Sequence, residues 1–181
     1  MVLARLLQPD LVLGGSVLDL TPELLRRYHL RGLILDVDDT LVPFSQAESD
    51  PDLADWMVAM KAVGQVWLVS NNVNVPRIRR IADEFKVPYL TSAGKPSRRK
   101  LKQALQAMAL PAAQVAMVGD RLFTDILAGN RLGLFTILVE PMPRLTASAG
   151  AQSPLRLLEV SLSQSLGVTL TCSLRDSSSN H

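Results

Sequence analysis

The sequence predicts an α/β protein in which one open parallel sheet carries helices on both faces, and two observations lead to this class. Short apolar segments rich in branched residues alternate along the chain with longer segments whose apolar residues recur at helical spacing. Strands that alternate with helices pair in parallel, because each helix returns the chain to the edge where the previous strand began. The 181 residues suffice for one such domain.

Four apolar segments have the length and composition of buried strands, and a fifth is a weaker candidate. The four are Gly32–Asp38, Gln65–Ser70, Val115–Asp120 and Phe135–Glu140, and the weaker one is Pro88–Ser92. Each of the first three ends on a polar residue. The carboxyl ends of parallel strands meet at one edge of a sheet, where α/β proteins bind ligands, so these polar residues are expected to be neighbours.

Helices are predicted between the strands from three sets of apolar residues that share a helical face. The sets are Leu53, Trp56, Met57 and Met60; Ile78, Ile81, Ala82 and Phe85; and Leu101, Ala104, Leu105 and Met108. A short amphipathic helix is also expected around Pro22–Arg27, before the first predicted strand.

We expect three parts along the chain. They are an N-terminal lead-in packed on the core (residues 1–31), the α/β core (residues 32–145) and a Ser-rich, partly disordered tail (residues 146–181). About thirty residues separate Asp38 from Ser70, and no large insertion lies between Ser70 and Lys95. The sequence therefore predicts an open ligand-binding edge without a large cap domain.

Composition argues against several classes of protein. The formal net charge of +2 does not indicate a nucleic-acid-binding protein. The single cysteine, Cys172, cannot form an intramolecular disulfide, and two histidines, His29 and His181, do not indicate a zinc site. We recognise neither a secretory signal nor an apolar run long enough to cross a membrane, so we expect a cytoplasmic protein.

Two carboxylates follow the first predicted strand, in Asp36-Val37-Asp38-Asp39-Thr40. If the chain turns sharply there, Asp36 and Asp38 reach the same ligand. Asp36 has the chemistry to attack phosphorus and form an acyl phosphate, whereas Asp38 can protonate the leaving oxygen and later take a proton from water. The alternative is an acidic surface turn that caps the next helix.

Further polar residues follow the later strands. Ser70 and the backbone N–H groups after it can hold phosphate oxygens, although the same residues also suit an ordinary loop. Lys95 can neutralise charge on a transferring phosphoryl group, although loop lysines are usually solvated. Gly119 allows a close approach to Asp120, and Asp120 and Asp125 can supply oxygen ligands for magnesium; the alternative for Asp125 is a helix cap.

In this order and spacing, the four elements resemble the motifs of the haloacid dehalogenase (HAD) superfamily: DVDDT, Ser70, Lys95 and GDRLFTD. The segments GLILDVDDTLVP, WLVSNN, GKP and GDRLFTDILAGNRLGLFTILVEP, with the lead-in LLQPDLVL, are similar to the YqeG-type branch of its class IIIA phosphatases, over about Leu6 to Arg144. The resemblance implies a Rossmann-like fold and a Mg²⁺-dependent phosphatase. The expected catalytic residues are Asp36, Asp38 and Lys95; the expected phosphate-binding residues are Ser70, Asn71 and Thr40; the expected Mg²⁺ ligands are Asp36, the backbone carbonyl of Asp38, Asp120 and Asp125.

The resemblance also suggests a substrate, because the YqeG-type branch is similar to the phosphatidylglycerophosphate phosphatases of mitochondria and photosynthetic organisms, which make phosphatidylglycerol. It thus implies an anionic phospholipid substrate and a peripheral position on a membrane. Basic residues crowd near the motifs: first Arg77, Arg79 and Arg80, and then a basic group near the third motif, consisting of Arg98, Arg99, Lys100 and Lys102. These cations could rest on such a surface, or could form solvated helix faces. Two alternatives for function remain, since a fold does not choose a substrate: a phosphatase of a soluble sugar phosphate, nucleotide or phosphoprotein, and a non-catalytic binding protein.

Overall fold

A computed structural model describes residues 2–42, 51–142, 161 and 167–171 of the chain. Its centre is a six-stranded sheet in the order β1-β6-β5-β2-β3-β4, and every pairing between neighbours is parallel. The strands are β1 (Leu11–Val12), β2 (Gly32–Leu35), β3 (Gln65–Val69), β4 (Tyr89–Leu90), β5 (Val115–Gly119) and β6 (Phe135–Leu138). Strands β2 to β6 each lie inside one of the five predicted segments, which confirms the predicted parallel sheet.

Six α-helices accompany the sheet within the described residues. They are α1 (Val2–Leu7), α2 (Pro22–Arg27), α3 (Pro51–Val63), α4 (Val75–Phe85), α5 (Arg99–Met108) and α6 (Leu127–Asn130). The apolar faces predicted for α3 and α4 are buried in one core cluster, and that of α5 is buried in a second cluster. Each cluster also contains residues of the sheet, so helices cover both faces as predicted.

The segment before β2 contributes a strand that the sequence did not predict. Leu11 and Val12 of β1 pair with Ile137 and Leu138 of β6 at one edge of the sheet. The join is reinforced next to β1, where the Thr136 N–H donates to Asp10 Oδ2 at 2.8 Å and the Asp10 N–H donates to the Thr136 hydroxyl oxygen at 3.1 Å. The lead-in helix expected around Pro22–Arg27 is present as α2.

The register of the sheet places the polar strand ends side by side. Leu35, the last residue of β2, pairs with Leu68 of β3 and with Val118 of β5. Asp36, Ser70 and Asp120 therefore emerge at the same edge, hereafter the carboxyl edge. Among the described residues, none forms a separate domain over this edge, in agreement with the predicted absence of a large cap.

Two expectations fall largely or wholly outside the described residues. The Ser-rich tail, residues 146–181, is described only at residue 161 and residues 167–171, and the predicted disorder of its end lies outside the described residues.

No helix in the described part of the chain has both the length and the apolar character needed to span a bilayer.

Candidate active site

The chain turns sharply after β2, as the spacing of its carboxylates requires. The backbone N–H groups of Leu41 and Val42 both donate to the carbonyl oxygen of Val37, at 3.0 and 3.1 Å. Asp39 has a φ of 61°, in the left-handed region that Asp and Asn tolerate better than most residues. The turn leaves Asp36 buried and Asp38 partly exposed at the carboxyl edge.

A buried lysine lies between two of the predicted carboxylates. Lys95 Nζ lies 2.5 Å from Asp36 Oδ1 and 2.6 Å from Asp125 Oδ1, and it donates to the Val69 carbonyl oxygen at 3.0 Å. The lysine side chain is only 1% exposed, so it is not the solvated loop lysine of the alternative interpretation. The contact with Asp125 is a second buried ion pair.

The loop that carries Lys95 is held by the side chain of Asn71. Asn71 Oδ1 accepts from the Lys95 N–H at 2.7 Å, and Asn71 Nδ2 donates to the Lys95 carbonyl oxygen at 3.2 Å. Gly94, with a φ of 62°, supplies a backbone conformation just before the lysine that L-residues seldom adopt. The sequence predicted phosphate binding for Asn71; the structure places its side chain on the backbone of Lys95, which is a positioning contact.

Three carboxylates converge beside Lys95. Asp36, Asp120 and Asp125 each offer one oxygen atom within 4.8 Å of the others. Thr40, expected to bind phosphate, donates from its buried hydroxyl to Asp120 Oδ1 at 3.3 Å. The structure therefore brings together three of the predicted metal ligands and gives Thr40 a contact with one of them.

Asp125 belongs to a π-helical turn, Leu122–Ile126. Asp120 and Arg121 connect this turn to the end of β5. Its Oδ2 accepts from the Arg121 N–H at 3.3 Å. A Cβ atom at Gly119 would lie 2.5 Å from Asp125 Cγ, so only glycine allows the carboxylate to approach the strand end so closely. Because Asp125 lies inside the turn and touches Lys95, a simple helix cap does not account for it.

These carboxylates fit a divalent cation. Carboxylate oxygens are the hard ligands that Mg²⁺ prefers in proteins. Three carboxylates converge beside the ammonium group of Lys95, so negative charge remains that a cation could balance. Asp36, Asp120 and Asp125 are therefore the residues that could hold a metal ion, while the role of the Asp38 carbonyl as a further ligand stays a prediction.

Asp38 lies at the mouth of the site among three donors. Ser70 Oγ donates to Asp38 Oδ2 at 3.0 Å, while Asn72 Nδ2 and Arg77 Nη1 donate to Asp38 Oδ1 at 3.3 and 2.5 Å. Ser70, predicted to bind phosphate, is thus bonded to the second carboxylate of the first motif. The sequence named Arg77 only among the basic residues near the motifs and gave the Asn72 side chain no separate role, since an arginine in the first turn of a helix has the same pattern whether it is solvated or paired.

Burial sets the electrostatics of the site. It raises the pKa of Asp36 to about 8, against the lowering effect of Lys95 and with the help of the neighbouring charges of Asp125 and Asp120. Burial alone would lower the pKa of Lys95, but the charges of Asp125 and Asp36 outweigh it and raise that pKa above its ordinary value. Lys95 is therefore a permanent cation, whereas Asp36 needs further positive charge to ionise fully at neutral pH.

The comparisons with known proteins agree with this geometry. A family model described as HAD-hydrolase-like matches residues 92–141, which include Lys95, Asp120 and Asp125. A Bacillus subtilis (strain 168) protein named probable phosphatase YqeG is 36% identical over 128 residues, covering 70% of this chain and 74% of the relative. An Arabidopsis thaliana protein named phosphatidylglycerophosphate phosphatase 1, chloroplastic/mitochondrial, is 30% identical over 132 residues, covering 67% of this chain. The matched part makes up only 38% of the plant protein.

The fold is likewise shared with solved structures. That of a HAD-like family hydrolase from Porphyromonas gingivalis has a TM-score of 0.52, with 10% sequence identity, and the match covers 65% of this chain and 95% of the other. Three findings together identify the family of the chain: the parallel sheet, the carboxylates at its carboxyl edge and the sequence identity with the Bacillus protein. It belongs to the HAD superfamily, as a member of the family that includes the Bacillus protein named probable phosphatase YqeG.

The raised pKa of Asp36 predicts a pH-dependent affinity for Mg²⁺. Below a pH of about 8, the Asp36 carboxyl group holds a proton in the absence of metal, and this proton competes with the cation. Above that pH the carboxyl group is ionised and the competition ends. Affinity should therefore rise with pH up to about 8 and then level off. Calorimetric titration with Mg²⁺ at several pH values measures this, and Asp36→Asn should flatten the dependence. A wild-type affinity that does not change with pH would contradict the prediction.

Proposed function

We propose that this chain is a Mg²⁺-dependent phosphatase that hydrolyses a phosphomonoester through an aspartyl phosphate on Asp36. The observation that carries the proposal is the buried group of Asp36, Asp120 and Asp125 around Lys95, with Asp38 two residues from Asp36 at the mouth. A nucleophile, a cation beside it and a second carboxylate nearer solvent are the groups that phosphoryl transfer in two steps needs.

In the first step, a carboxylate oxygen of Asp36 attacks phosphorus and the bond from phosphorus to the ester oxygen breaks. Asp38 gives its proton to that oxygen, so the alcohol leaves neutral. In the second step, Asp38 takes a proton from water, whose oxygen attacks phosphorus and releases inorganic phosphate from Asp36. Lys95 stays charged throughout and balances negative charge on Asp36 and on the phosphoryl oxygens.

A bound Mg²⁺ would supply positive charge that favours the ionised form of Asp36 and stabilises the negative charge of the phosphoryl group. Asp36, Asp120 and Asp125 would hold it, with the carbonyl of Asp38 as the further proposed ligand. The hydroxyl of Thr40 orients Asp120 for this purpose through its contact with Oδ1.

Asp36→Asn should abolish turnover while the protein stays folded. The amide keeps the size of the side chain but is not a nucleophile, so the rate should fall by several orders of magnitude, as is usual when a nucleophile is lost. Asp38→Asn should also be severe with an alkyl phosphate, but less so with p-nitrophenyl phosphate, whose leaving group departs without a proton. Steady-state kinetics on both substrates measure this, with circular dichroism as the check on folding. Substantial activity of Asp36→Asn would overturn the assigned nucleophile.

Chelation should abolish phosphatase activity, and Mg²⁺ should restore it whereas Ca²⁺ should not. Calcium accepts higher coordination numbers and looser geometry than magnesium, which would spoil the in-line approach of Asp36 to phosphorus. Phosphate release after treatment with a chelator and addition of each ion measures the effect. Equal rates with the two ions would contradict a strict octahedral site on Asp36, Asp120 and Asp125.

For the substrate we propose phosphatidylglycerophosphate, taken from an anionic membrane surface. The name of the plant relative supports this choice, although the chain spans well under half of that protein. The carboxyl edge has no separate domain above it among the described residues, which leaves room for a lipid headgroup. The rival is a soluble phosphomonoester, and hydrolysis assays with both kinds of substrate distinguish the two.

The basic group lies at the same edge as the site. Helix α5 begins at Arg99, four residues after Lys95, and Arg98, Arg99 and Lys102 are exposed. Arg98 Nη1 donates to the Arg131 carbonyl oxygen at 3.1 Å, so this arginine is also tied to the protein surface. Each cation near an anionic membrane contributes about 1 kcal/mol of attraction at low salt.

Replacing Arg98, Arg99 and Lys102 together by Gln should weaken binding to phosphatidylglycerol-containing vesicles and raise the KM for lipid substrate. The kcat on p-nitrophenyl phosphate should change little, since Lys95 and the carboxylates are untouched. Co-sedimentation with vesicles at low and high salt measures binding. Arg26, Arg27 and Arg31 provide a matched control, because these exposed arginines precede β2 and so lie at the opposite edge of the sheet. Equal sedimentation of the wild type and both triple variants would leave the basic group as a solvated helix face.

A further inference from the structure

Residues 167–171 of the Ser-rich tail, hereafter the tail segment, pack on a part of the protein that is distant in sequence. Gly167 begins the segment with a φ of 86°, a conformation that favours glycine. Burial then alternates, since Val168 is 5% exposed, Thr169 is exposed and Leu170 is partly buried. This alternation is typical of an extended chain with one face against the protein. The tail segment is therefore docked along one face.

The Gln8 side chain holds the docked segment by its backbone. Gln8 Oε1 accepts from the Thr169 N–H at 2.9 Å, and Gln8 Nε2 donates to the Thr169 carbonyl oxygen at 2.8 Å. An amide that bonds to both backbone groups of one residue imitates a neighbouring strand. The backbone carbonyl oxygen of Gln8 in turn accepts from Asn130 Nδ2 at 2.9 Å. Gln8, which directly follows α1, thus connects the tail segment with the end of α6.

Val168 shares an apolar cluster with the π-helical turn that carries Asp125, hereafter the Asp125 turn. The buried members of the cluster are Leu7, Leu122, Ile126, Leu138 and Val168. Leu122 and Ile126 are the first and last residues of the Asp125 turn, and Leu170 packs against the same cluster. Helix α1 also lies against this turn. Both ends of the Asp125 turn are therefore anchored in a cluster to which the tail segment contributes.

Asp125 lies between these two anchored residues, and its carboxylate reaches the active site. Its Oδ1 lies 2.6 Å from Lys95 Nζ, and its Oδ2 accepts from the Arg121 N–H at 3.3 Å. Because Mg²⁺ demands a nearly ideal octahedral geometry, a displaced carboxylate ligand weakens its binding. Contacts that fix the Asp125 turn therefore contribute to the affinity for the metal, although they lie outside its ligands.

We propose that the docked tail segment stabilises the Asp125 turn, so that Val168 and Gln8 are positioning residues for the Mg²⁺ site. The segment restrains the turn before the metal binds, and Mg²⁺ then binds without the cost of ordering it. Because coupling between two sites is reciprocal, Mg²⁺ also favours the docked form of the segment. This role rests on the proposed function, since it takes Asp125 as a Mg²⁺ ligand. It concerns a part of the chain that lies beyond the motifs of the family.

The experiment measures Mg²⁺ affinity and thermal unfolding of full-length variants. Val168→Asp should release the tail segment, because a charge cannot be buried unpaired in an apolar cluster. Thr171→Asp, which adds the same charge at an exposed position of the same segment, is the matched control. Val168→Ile keeps the apolar contact and is the conservative variant. Calorimetric titration with Mg²⁺, well below the unfolding temperature of each variant, gives the Kd of the folded protein.

Val168→Asp should bind Mg²⁺ about tenfold more weakly than the wild type, a usual magnitude for coupling between two sites. Thr171→Asp and Val168→Ile should keep the Kd of the wild type. A purely structural role of Val168 would lower the Tm of Val168→Asp and leave the Kd of the folded protein unchanged. That result would overturn the proposal.

The reciprocal effect is measured on the wild type itself, by hydrogen exchange of the Thr169 amide. This N–H is bonded to Gln8 Oε1 and exchanges when the tail segment leaves the protein. Saturating Mg²⁺ should slow its exchange about tenfold, by the same factor as the change in Kd. Exchange that does not respond to Mg²⁺ would contradict the coupling.

Should Val168→Asp fail to fold, Gln8→Ala replaces it, because this variant removes both hydrogen bonds to Thr169 and leaves the apolar cluster intact. It should speed exchange of the Thr169 amide and weaken Mg²⁺ binding together. Faster exchange with an unchanged Kd would overturn the role of the segment.

The outcomes also separate this role from the function on which it rests. If the wild type hydrolyses phosphomonoesters and binds Mg²⁺ without coupling to the tail segment, the phosphatase stands and the positioning role does not. If it binds Mg²⁺ with coupling but hydrolyses no phosphomonoester, the positioning role stands and the phosphatase does not. If it binds no Mg²⁺, both fail.

Discussion

The ion pairs of Lys95 with Asp36 and Asp125 are the interaction on which the rest of the site depends. All three side chains are buried, and buried charges are tolerated only when they are paired. Three carboxylates and one ammonium group carry a formal charge of −2 when all are ionised, which a divalent cation balances. The Val69 carbonyl oxygen accepts from the Lys95 ammonium group, and the Asn71 side chain holds the Lys95 backbone. Strand β3 and the loop after it therefore position the lysine beside the carboxylates that follow β2 and β5.

The parallel sheet explains how residues so far apart in sequence meet. β2 lies between β3 and β5, and the three strands end at the same level because Leu35 pairs with both neighbours. The sequence was sufficient to predict this much, because strands buried on both faces are continuous apolar runs and a polar residue marks where each one ends. The same reasoning predicts that Asp36, Ser70 and Asp120 are neighbours at the carboxyl edge.

Other features left no signal that sequence patterns could reveal. Strand β1 has two residues, too few to show a period, and its place is defined only by pairing with β6. An amide that holds a loop has the same sequence signature as one that holds phosphate, so the contact of Asn71 with Lys95 could not be foreseen. The same holds for Thr40 on Asp120, and for Arg77, whose contact with Asp38 depends on the path of a long side chain.

The short outer strands have a consequence for how this protein behaves among its own copies. The sheet ends at β1 on one side and at β4 on the other, and each of these strands is two residues long. An exposed sheet edge is a template on which another chain can add a strand, and its reach is set by the number of unpaired backbone groups in the row. β1 covers half of the four-residue strand β6, and β4 covers two residues of the five-residue strand β3. Because both edge strands are only two residues long, each offers few unpaired backbone groups on which another chain could add a strand.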